Sequence, residues 1–436
     1  MDKFTQFLDN MLTPLATAIG GNKYLKAVSS GFVAIMAASI VGSLFTLLAN
    51  LPITSYTTWL STSGFGAILN LPAQATIDLI SLYAVFFISY SLAKEFNVDG
   101  GGAGLAALVS FMLVTGRTTY FTSAAADAAS ATAYATGFLG ARGLFTAMIV
   151  GLLSARIYVF VVKKGWVIKL PDSVPPNVAN SFSSLIPVAI IISIWLVVTG
   201  LMASTSFGSL HALIFNSIQN NLMRFMGNNI FSAVFFTFMS SLLWFFGLHG
   251  GNLTGAITNP IYTPLSLENF AAYQAGLPMP YIINANFSRC FTQGGVGSMF
   301  SLAILMVLFA KSKQFKILGR ISLPTTFFFI NEPLLFGIPV VLNVFFFLPL
   351  LLITPILSVL TYTVMSLGII PPPNGAQIPW TTPPILYGIL QGSWKIAVWE
   401  FITILLSGAM WFPFFKISDQ RAYEAEQAED SAAAGN

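Results

Sequence analysis

One carboxylate stands out in an almost uncharged segment of the chain. Glu332 lies in the run Phe329–Asn343, which is apolar apart from two asparagines and is interrupted by Pro333 and Pro339. A charge at membrane depth is costly and marks a functional candidate by default, and the prolines prevent a continuous helix. We therefore expect Glu332 beside a cavity, where it could accept a hydrogen bond from a hydroxyl group or act as a base on it. The alternative is a structural anchor bonded to amides of its own loop.

A histidine between glycines is the second candidate. His249 lies in the run GLHGGN at 247–252. Glycine lets the backbone approach a ligand closely, and neutral imidazole both donates and accepts hydrogen bonds. These properties suit a hydroxylated ligand, whereas the alternative is an interfacial histidine bonded to a carbonyl group.

The run 284–297 is rich in amides and glycine. Asn286 offers an amide side chain, and Gly294 and Gly295 expose backbone donors where an apolar run begins. A helix-packing role for these glycines is an equally good interpretation.

The run 371–384 is a proline-rich loop that carries Gln377 and Trp380. A tryptophan face can stack on the C–H face of a pyranose, and amides can bond its hydroxyls. The alternative for Trp380, and for Trp244, is a tryptophan of the interfacial belt.

These side chains together indicate the kind of ligand. No zinc pattern, nucleotide loop or Ser/His/Asp arrangement is present in the sequence, so we expect neither a metal nor a cofactor. A carboxylate, a histidine, amides and tryptophans favour a neutral polyhydroxylated ligand over an ion. The predicted catalytic residues are Glu332 and His249. The predicted ligand contacts are Trp244, Asn252, Asn286, Gly294, Gly295, Asn331, Gln377 and Trp380.

The composition determines the class of protein that must position these residues. The chain has 436 residues, 56% hydrophobic and 8% charged, whereas about 25% charge is usual in soluble domains. An all-α integral membrane protein follows. The net charge of +4 does not indicate nucleic-acid binding, because the basic residues lie at the ends of apolar runs.

A membrane-spanning helix needs roughly 20 apolar residues, and the sequence predicts ten such helices. They cover 24–49, 75–93, 101–118, 139–162, 182–203, 207–224, 229–249, 294–310, 345–368 and 386–412. With both termini in the cytoplasm, ten crossings place most of the 19 basic residues on the cytoplasmic side, as the positive-inside rule requires. Lys395 and Glu400 in the last span are interpreted as an ion pair or as snorkelling side chains.

Three apolar stretches fail as spans, at 250–293, 321–344 and 369–385. Their Gly, Pro, Asn and aromatic residues are typical of re-entrant hairpins that line a cavity, and all three lie in the second half. We therefore divide the chain into 1–165 as a helical scaffold, 166–181 as an amphipathic linker, 182–415 as the transport domain and 416–436 as a cytoplasmic polar tail.

Four segments resemble a known family. They are 171–179 (PDSVPPNVA), 247–250 (GLHG), 331–339 (NEPLLFGIP) and 379–383 (PWTTP). In this order they are similar to the membrane component, enzyme IIC, of the bacterial phosphotransferase system, in its lactose/cellobiose/diacetylchitobiose family. The likeness covers nearly the whole chain, and the run beginning at Asn331 is its most specific part.

The resemblance implies ten spanning helices with two re-entrant hairpins in the bacterial plasma membrane, and a homodimer built by the first five helices. It implies a disaccharide site in the second half, with diacetylchitobiose or cellobiose as the favoured substrate. Glu332 would contact the sugar's 6-hydroxyl, with His249 nearby. The phosphoryl donor would be a cysteine on a separate IIB protein, supplied by IIA, and the sugar would be released inside as its 6-phosphate.

A proton-coupled secondary transporter is the competing interpretation. Intramembrane carboxylates and histidines often relay protons, and Glu332 with His249 would then be such a relay. The two classes differ in their product, because a secondary transporter delivers unmodified sugar and needs no phosphoprotein partner.

Overall fold

The computed structural model describes residues 21–49, 54–121, 130–134, 136–171, 173–338 and 344–434. Helices dominate this part of the chain. A short antiparallel pair, β1 (Thr118–Phe121) and β2 (Ser130–Ala133), joins Thr118 to Ala133 in register.

The earlier helices are α1 (Lys23–Ala49), α2 (Thr54–Ser63), α3 (Phe65–Thr76), α4 (Ile80–Glu95), α5 (Gly100–Thr115), α6 (Leu144–Lys163), α7 (Pro176–Ala203), α8 (Leu210–Ile214) and α9 (Asn220–Gly227). The later helices are α10 (Ile230–Phe245), α11 (Gly250–Gln274), α12 (Phe300–Phe309), α13 (Lys313–Phe327), α14 (Glu332–Gly337), α15 (Val344–Ser366), α16 (Leu386–Leu390) and α17 (Trp394–Ala434).

The helices form two compact units. The N-terminal unit comprises the described residues up to Phe225 together with Asn259–Leu267, and the C-terminal unit comprises Met226–Thr258 together with the described residues from Glu268 onward. The sequence analysis divided the chain at 166–181. Contacts group 182–225 with the N-terminal unit instead, and the functional roles assigned to the two halves stay predictions.

The all-α membrane class is confirmed, but the count of ten spanning helices is not. Among the described residues, six helical stretches are long and apolar enough to cross a membrane, and a seventh is present if Leu210–Gly227 and Ile230–Phe245 form one span. Some predicted spans are short or broken in the structure. Helix α5 has 16 residues and α12 only 10, and the predicted span 386–412 is divided between α16 and α17.

The stretch 250–293 differs from its prediction as a re-entrant hairpin. Its first part is the continuous helix α11, 25 residues long with Pro260 and Pro264 inside. Prolines are tolerated in membrane helices where neighbouring groups satisfy the freed carbonyls. Only the part after Gln274 is irregular, with one turn of 3-10 helix at Ser288–Cys290.

The other two broken stretches are irregular, as predicted. Between 321 and 338, α13 ends at Phe327 and α14 begins at Glu332. Residues 369–385 form no helix, and Ile385 at their end has a φ of 72°. The interruptions are therefore confirmed, while their depth in a bilayer stays a prediction.

Small residues of α5 pack within the N-terminal unit. A Cβ atom at Gly100 would lie 2.6 Å from the ring of Tyr90, and one at Gly104 would lie 2.8 Å from the ring of Phe86. Real Cβ atoms do not approach so closely, so these glycines let α5 lie directly against the aromatic side of α4. The sequence alone left open whether such residues pack within or between subunits.

The segment 416–436, predicted as a polar tail, is helical in its described part, because α17 continues through Ala434. Buried Asp419 accepts hydrogen bonds from Lys311 N at 2.8 Å and from Ser312 N at 3.0 Å and Oγ at 2.9 Å. Two turns later, Glu426 accepts from the backbone N–H groups of Lys313 and Gln314 at 2.8 and 2.9 Å. The two carboxylates thus cap the N-terminus of α13, where negative charge is favourable. We call this contact the carboxylate clamp.

Replacing Asp419 by Asn is expected to destabilise the C-terminal unit. An amide nitrogen would face backbone N–H groups, so at least one bond to a charged acceptor is lost, which costs about 2 kcal/mol. We expect the thermal midpoint of the detergent-purified protein to fall by about 5 °C.

Glu424→Gln is the matched control for the clamp. This exposed carboxylate on the same helix accepts only from the side chain of Gln420 among the described residues. Its midpoint should not change. Equal midpoints for the two variants would show that the clamp does not stabilise the fold.

Candidate functional site

Glu332 lies at the first turn of a short helix inside the predicted broken segment. The chain leaves α13 through Phe329, whose φ of 67° is unusual for a non-glycine residue, and enters α14 at Glu332. The carboxylate is half-buried, and it has no hydrogen-bond partner among the described residues. Pro339–Asn343, the end of the predicted motif, lie outside those residues. Glu332 can therefore accept a hydrogen bond from a ligand, and this role stays a prediction.

Asn331 fixes the backbone beside this carboxylate. Its side chain is buried, and its Nδ2 donates to the carbonyl of Val296 at 3.2 Å. A Cβ at Gly295 would lie 3.0 Å from the Asn331 carboxamide, and Gly295 has a φ of 84°. Asn331 therefore joins Glu332 to the segment 294–298.

Gly294 and Gly295 have a packing role in the structure. Gly294 has a φ of 75°, and a Cβ there would lie 2.7 Å from that of Phe300 and closer still to its backbone nitrogen. The next turn is held by Trp411, whose Nε1 donates to the carbonyl of Gly297 at 2.8 Å. These contacts account for the glycines without a ligand, and a ligand contact at either one stays a prediction.

His249 is the N-cap of α11 and follows Trp244 by five residues. Its Nδ1 accepts a hydrogen bond from Asn252 N at 3.1 Å, and its exposed ring lies 4.5 Å from the indole of Trp244 between centroids. Because Nδ1 accepts, we assign the proton of the neutral ring to Nε2, which is then a donor. The structure thus brings three predicted residues together.

Asn286 ties its segment to the proline-rich loop. The side chain is buried, and Nδ2 donates to the carbonyl of Ala376 at 2.7 Å, which also accepts from Nε2 of Gln391 at 3.1 Å. Gln377 donates within its own loop, to the carbonyl of Gly375 at 3.2 Å. Both predicted amides therefore hold backbone, and ligand contact by either one stays a prediction.

Arg289 connects its own segment to the loops that carry Trp380 and Phe329. It was not identified as a site residue from the sequence. Its guanidinium donates to the carbonyl of Trp380 and lies 3.3 Å from the ring centroid of Phe329. Trp380 is 54% exposed, so the residue is accessible while its backbone carbonyl is held. A lone basic residue in the run 250–293 was the signal that could have identified Arg289.

Glu400 has a role that the sequence analysis did not predict. It is fully buried in α17, and its Oε2 accepts from the backbone N–H groups of Ile385 at 2.5 Å and Gly388 at 3.2 Å. Lys395 is exposed and does not pair with it. Of the two predicted alternatives, the ion pair between Lys395 and Glu400 is therefore wrong, and Glu400 caps the short helix α16.

Cys290 is the one cysteine of the chain. It is fully buried, and burial raises the pKa of its thiol well above the usual range. The thiolate is the nucleophilic form of cysteine, so this side chain is unsuited to carry a phosphoryl group. Within the described ranges, no three His, Cys, Asp or Glu side chains lie close enough to hold a metal ion.

The predicted residues thus form three groups in the C-terminal unit. The first contains Glu332, Asn331 and Gly295. The second contains Asn286, Gln377 and Trp380, and Arg289 joins it to the first through Phe329. The third contains Trp244, His249 and Asn252. Helix α10, which carries Trp244, packs on α15, and the ring centroids of Phe245 and Phe347 are 4.7 Å apart.

A many-helix chain with polar side chains gathered on broken segments belongs to the class of polytopic membrane transporters. The family model described as "Phosphotransferase system, EIIC" matches residues 29–354. The chain therefore belongs to the EIIC family and is a multi-pass sugar permease of the phosphotransferase system.

Relatives and a solved structure agree with this assignment. The chain is 34% identical to the PTS system oligo-beta-mannoside-specific EIIC component of Bacillus subtilis (strain 168), over 99% of this chain and 98% of the relative. It is also 34% identical to the PTS system cellobiose-specific EIIC component of Geobacillus stearothermophilus, over 100% and 98%. The crystal structure of the transporter ChbC, the IIC component from the N,N'-diacetylchitobiose-specific phosphotransferase system, superimposes with a TM-score of 0.91 at 32% identity, covering 97% of this chain and 99% of that one.

Proposed function

We propose that this permease imports a β-linked disaccharide of the cellobiose or diacetylchitobiose type and delivers it as the 6-phosphate. The half-buried carboxylate of Glu332, held beside Asn331 and without a partner in the described residues, is the observation that carries the proposal. The names of the relatives support the substrate class, since cellobiose and diacetylchitobiose are both β-linked disaccharides.

Glu332 is the group we assign to the 6-hydroxyl. Its carboxylate accepts the hydroxyl proton as the oxygen attacks the phosphoryl group, which lowers the cost of deprotonation. His249 supplies a nearby Nε2 donor, and Trp380 supplies an exposed face for a sugar ring. Trp244 is buried, with its ring against His249, and its contact with the sugar stays a prediction. Asn252, Asn286, Asn331, Gln377 and the backbone at Gly294 and Gly295 complete the proposed contacts.

The phosphoryl group comes from a cysteine of a phosphorylated IIB protein, with IIA upstream. The product carries a phosphate dianion, which a site for neutral sugar binds poorly, so phosphorylation gives transport its direction. We further propose a homodimer formed through residues 1–165, with 166–181 as linker, 182–415 as transport domain, and both termini, including 416–436, in the cytoplasm.

The proton-coupled alternative lacks such support. Family membership favours coupling to phosphotransfer, and both candidates share Glu332 and His249. The chemical form of the imported sugar separates them.

The decisive experiment follows radiolabelled cellobiose and diacetylchitobiose into cells that express this protein with or without matching IIA and IIB. Chromatography of the internal label is expected to show sugar 6-phosphate only when both partners are present. Unmodified sugar that accumulates without them, and is lost on adding a protonophore, would instead establish the secondary transporter.

Arg289→Lys is expected to weaken sugar binding. Lysine is a point charge that cannot both bond the Trp380 carbonyl and stack flat on Phe329. The loops that carry Trp380 and Phe329 therefore lose the side chain that contacts both of them. We expect the dissociation constant of the sugar to rise about tenfold, the equivalent of one charged hydrogen bond. Arg320→Lys, an exposed residue of α13, is the control. Equal sugar affinities of the two variants would show that Arg289 does not contribute to sugar binding.

A further inference from the structure

A dense basic patch lies in the N-terminal unit and includes no residue proposed to bind sugar. Three cations from two helices surround the ring of Phe96. Lys23 Nζ lies 4.5 Å from the ring centroid, and the charged groups of Arg156 and Lys163 each lie 5.4 Å from it. Any two of these charged groups are therefore separated by at most about twice 5.4 Å. This separation is comparable to the Debye length of about 8 Å at physiological salt, so their positive potentials overlap.

The nearby acids do not neutralise this cluster. Glu95 pairs with Lys26 at 2.6 Å, and Asp99 caps α5 by accepting from Gly102 N at 3.1 Å. Lys23 is the first residue of α1, where the helix dipole adds further positive potential. Lys23 Nζ donates to the carbonyl of Glu95 at 2.6 Å and keeps further N–H donors for a ligand. The side chains of Lys23, Arg156 and Lys163 are all exposed, so an anion can reach them.

Aromatic side chains around the cluster indicate what kind of anion. Tyr24 is 40% exposed beside Phe96, and Trp166 is 54% exposed against Phe160. Exposed tyrosine and tryptophan at the ends of spanning helices lie at the level of lipid headgroups. The ends of α1 and α6, two candidate spans, meet here, and basic pockets between spanning helices bind anionic headgroups.

We propose that Lys23, Arg156 and Lys163 form a binding site for the phosphate of an anionic lipid headgroup, with Phe96 as its floor. Charge complementarity selects an anionic headgroup over a zwitterionic one, and the flanking aromatic rings select a lipid over a soluble partner. The proposal is independent of the sugar site and of the phosphotransfer reaction.

The test measures lipid binding by the full-length purified protein. Native mass spectrometry and thermal melting are carried out with phosphatidylglycerol, with phosphatidylcholine and with inorganic phosphate. Phosphatidylglycerol is expected to bind and raise the thermal midpoint of the unchanged protein, and phosphatidylcholine is not. Lys163→Gln and Arg156→Gln should each weaken phosphatidylglycerol binding by about fivefold, and the double variant by about 25-fold.

Two controls make the result specific. Lys395→Gln removes one exposed lysine of the C-terminal unit and should bind phosphatidylglycerol as the unchanged protein does. Without lipid, all variants should share one midpoint, because the altered side chains are exposed.

Two results would overturn the proposal. One is an equal phosphatidylglycerol response by the unchanged protein and the double variant. The other is a response to inorganic phosphate as strong as that to the lipid. A loss of IIB-dependent sugar phosphorylation by the double variant in pure phosphatidylcholine vesicles would likewise assign the patch to a protein partner and contradict the lipid site.

Discussion

Replacing Glu332 by Gln is expected to preserve sugar binding while lowering the formation of sugar 6-phosphate by at least about 100-fold. Glutamine has the same shape and still bonds a hydroxyl, but it cannot accept the proton that leaves the attacking oxygen. General-base catalysis contributes about 10²–10⁴ in rate. Binding is measured with radiolabelled disaccharide on purified protein, and phosphotransfer with phosphorylated IIB in vesicles.

The control for this experiment is another carboxylate of the C-terminal unit. Glu424→Gln changes the same chemical group on the exposed face of α17 and should leave both binding and phosphotransfer unchanged. Phosphotransfer by Glu332→Gln at the rate of the control would show that Glu332 is not the base. A loss of binding by Glu332→Gln would make it a binding residue instead.

Replacing Gly250 by Ala is expected to have the largest effect on stability. The new Cβ would lie 2.7 Å from the carbonyl carbon of Ser240 and closer still to its oxygen. Both are backbone atoms of α10, so no rotamer change relieves the overlap, and α10 and α11 must separate. We expect a loss of about 3 kcal/mol and a thermal midpoint lower by about 10 °C.

Gly251 provides a matched substitution at the next position. A Cβ at Gly251 meets only the ring of His249 at 3.5 Å, an ordinary contact, and alanine favours helix over glycine. Gly251→Ala should therefore keep or raise the midpoint. Similar midpoints for the two alanine variants would show that the α10–α11 junction adapts, contrary to this prediction.

Local chemistry made part of the site predictable. A charge and two prolines in an apolar run indicate a broken segment whatever surrounds it, and α13 and α14 are indeed separated before Glu332. The sequence likewise predicted that the seventh span ends at 249, and a break between α10 and α11 lies there, with His249 as the N-cap of α11. Signals of this kind need no knowledge of the partner segment.

The remaining contacts depend on partners far apart in the chain. Asp419 and Glu426 are polar residues after an apolar helix, and their role depends on the backbone N–H groups at 311–314. Arg289 and Trp380 meet across 91 residues. Hydropathy alone did not place the breaks in the helices, because a run such as 294–310 is apolar enough for a span but contains positive-φ glycines that shorten its helix.

The continuity of α17 has a consequence for imaging. At 1.5 Å per residue, its 41 residues extend about 60 Å, and the carboxylate clamp holds the part beyond Pro413 against α13. A rigid protein joined in helical register after Glu426 would inherit the orientation of the C-terminal unit. Such a fusion would give a 47.0 kDa permease an alignment marker outside the detergent micelle, and single-particle reconstruction could then follow the motion of this unit through transport.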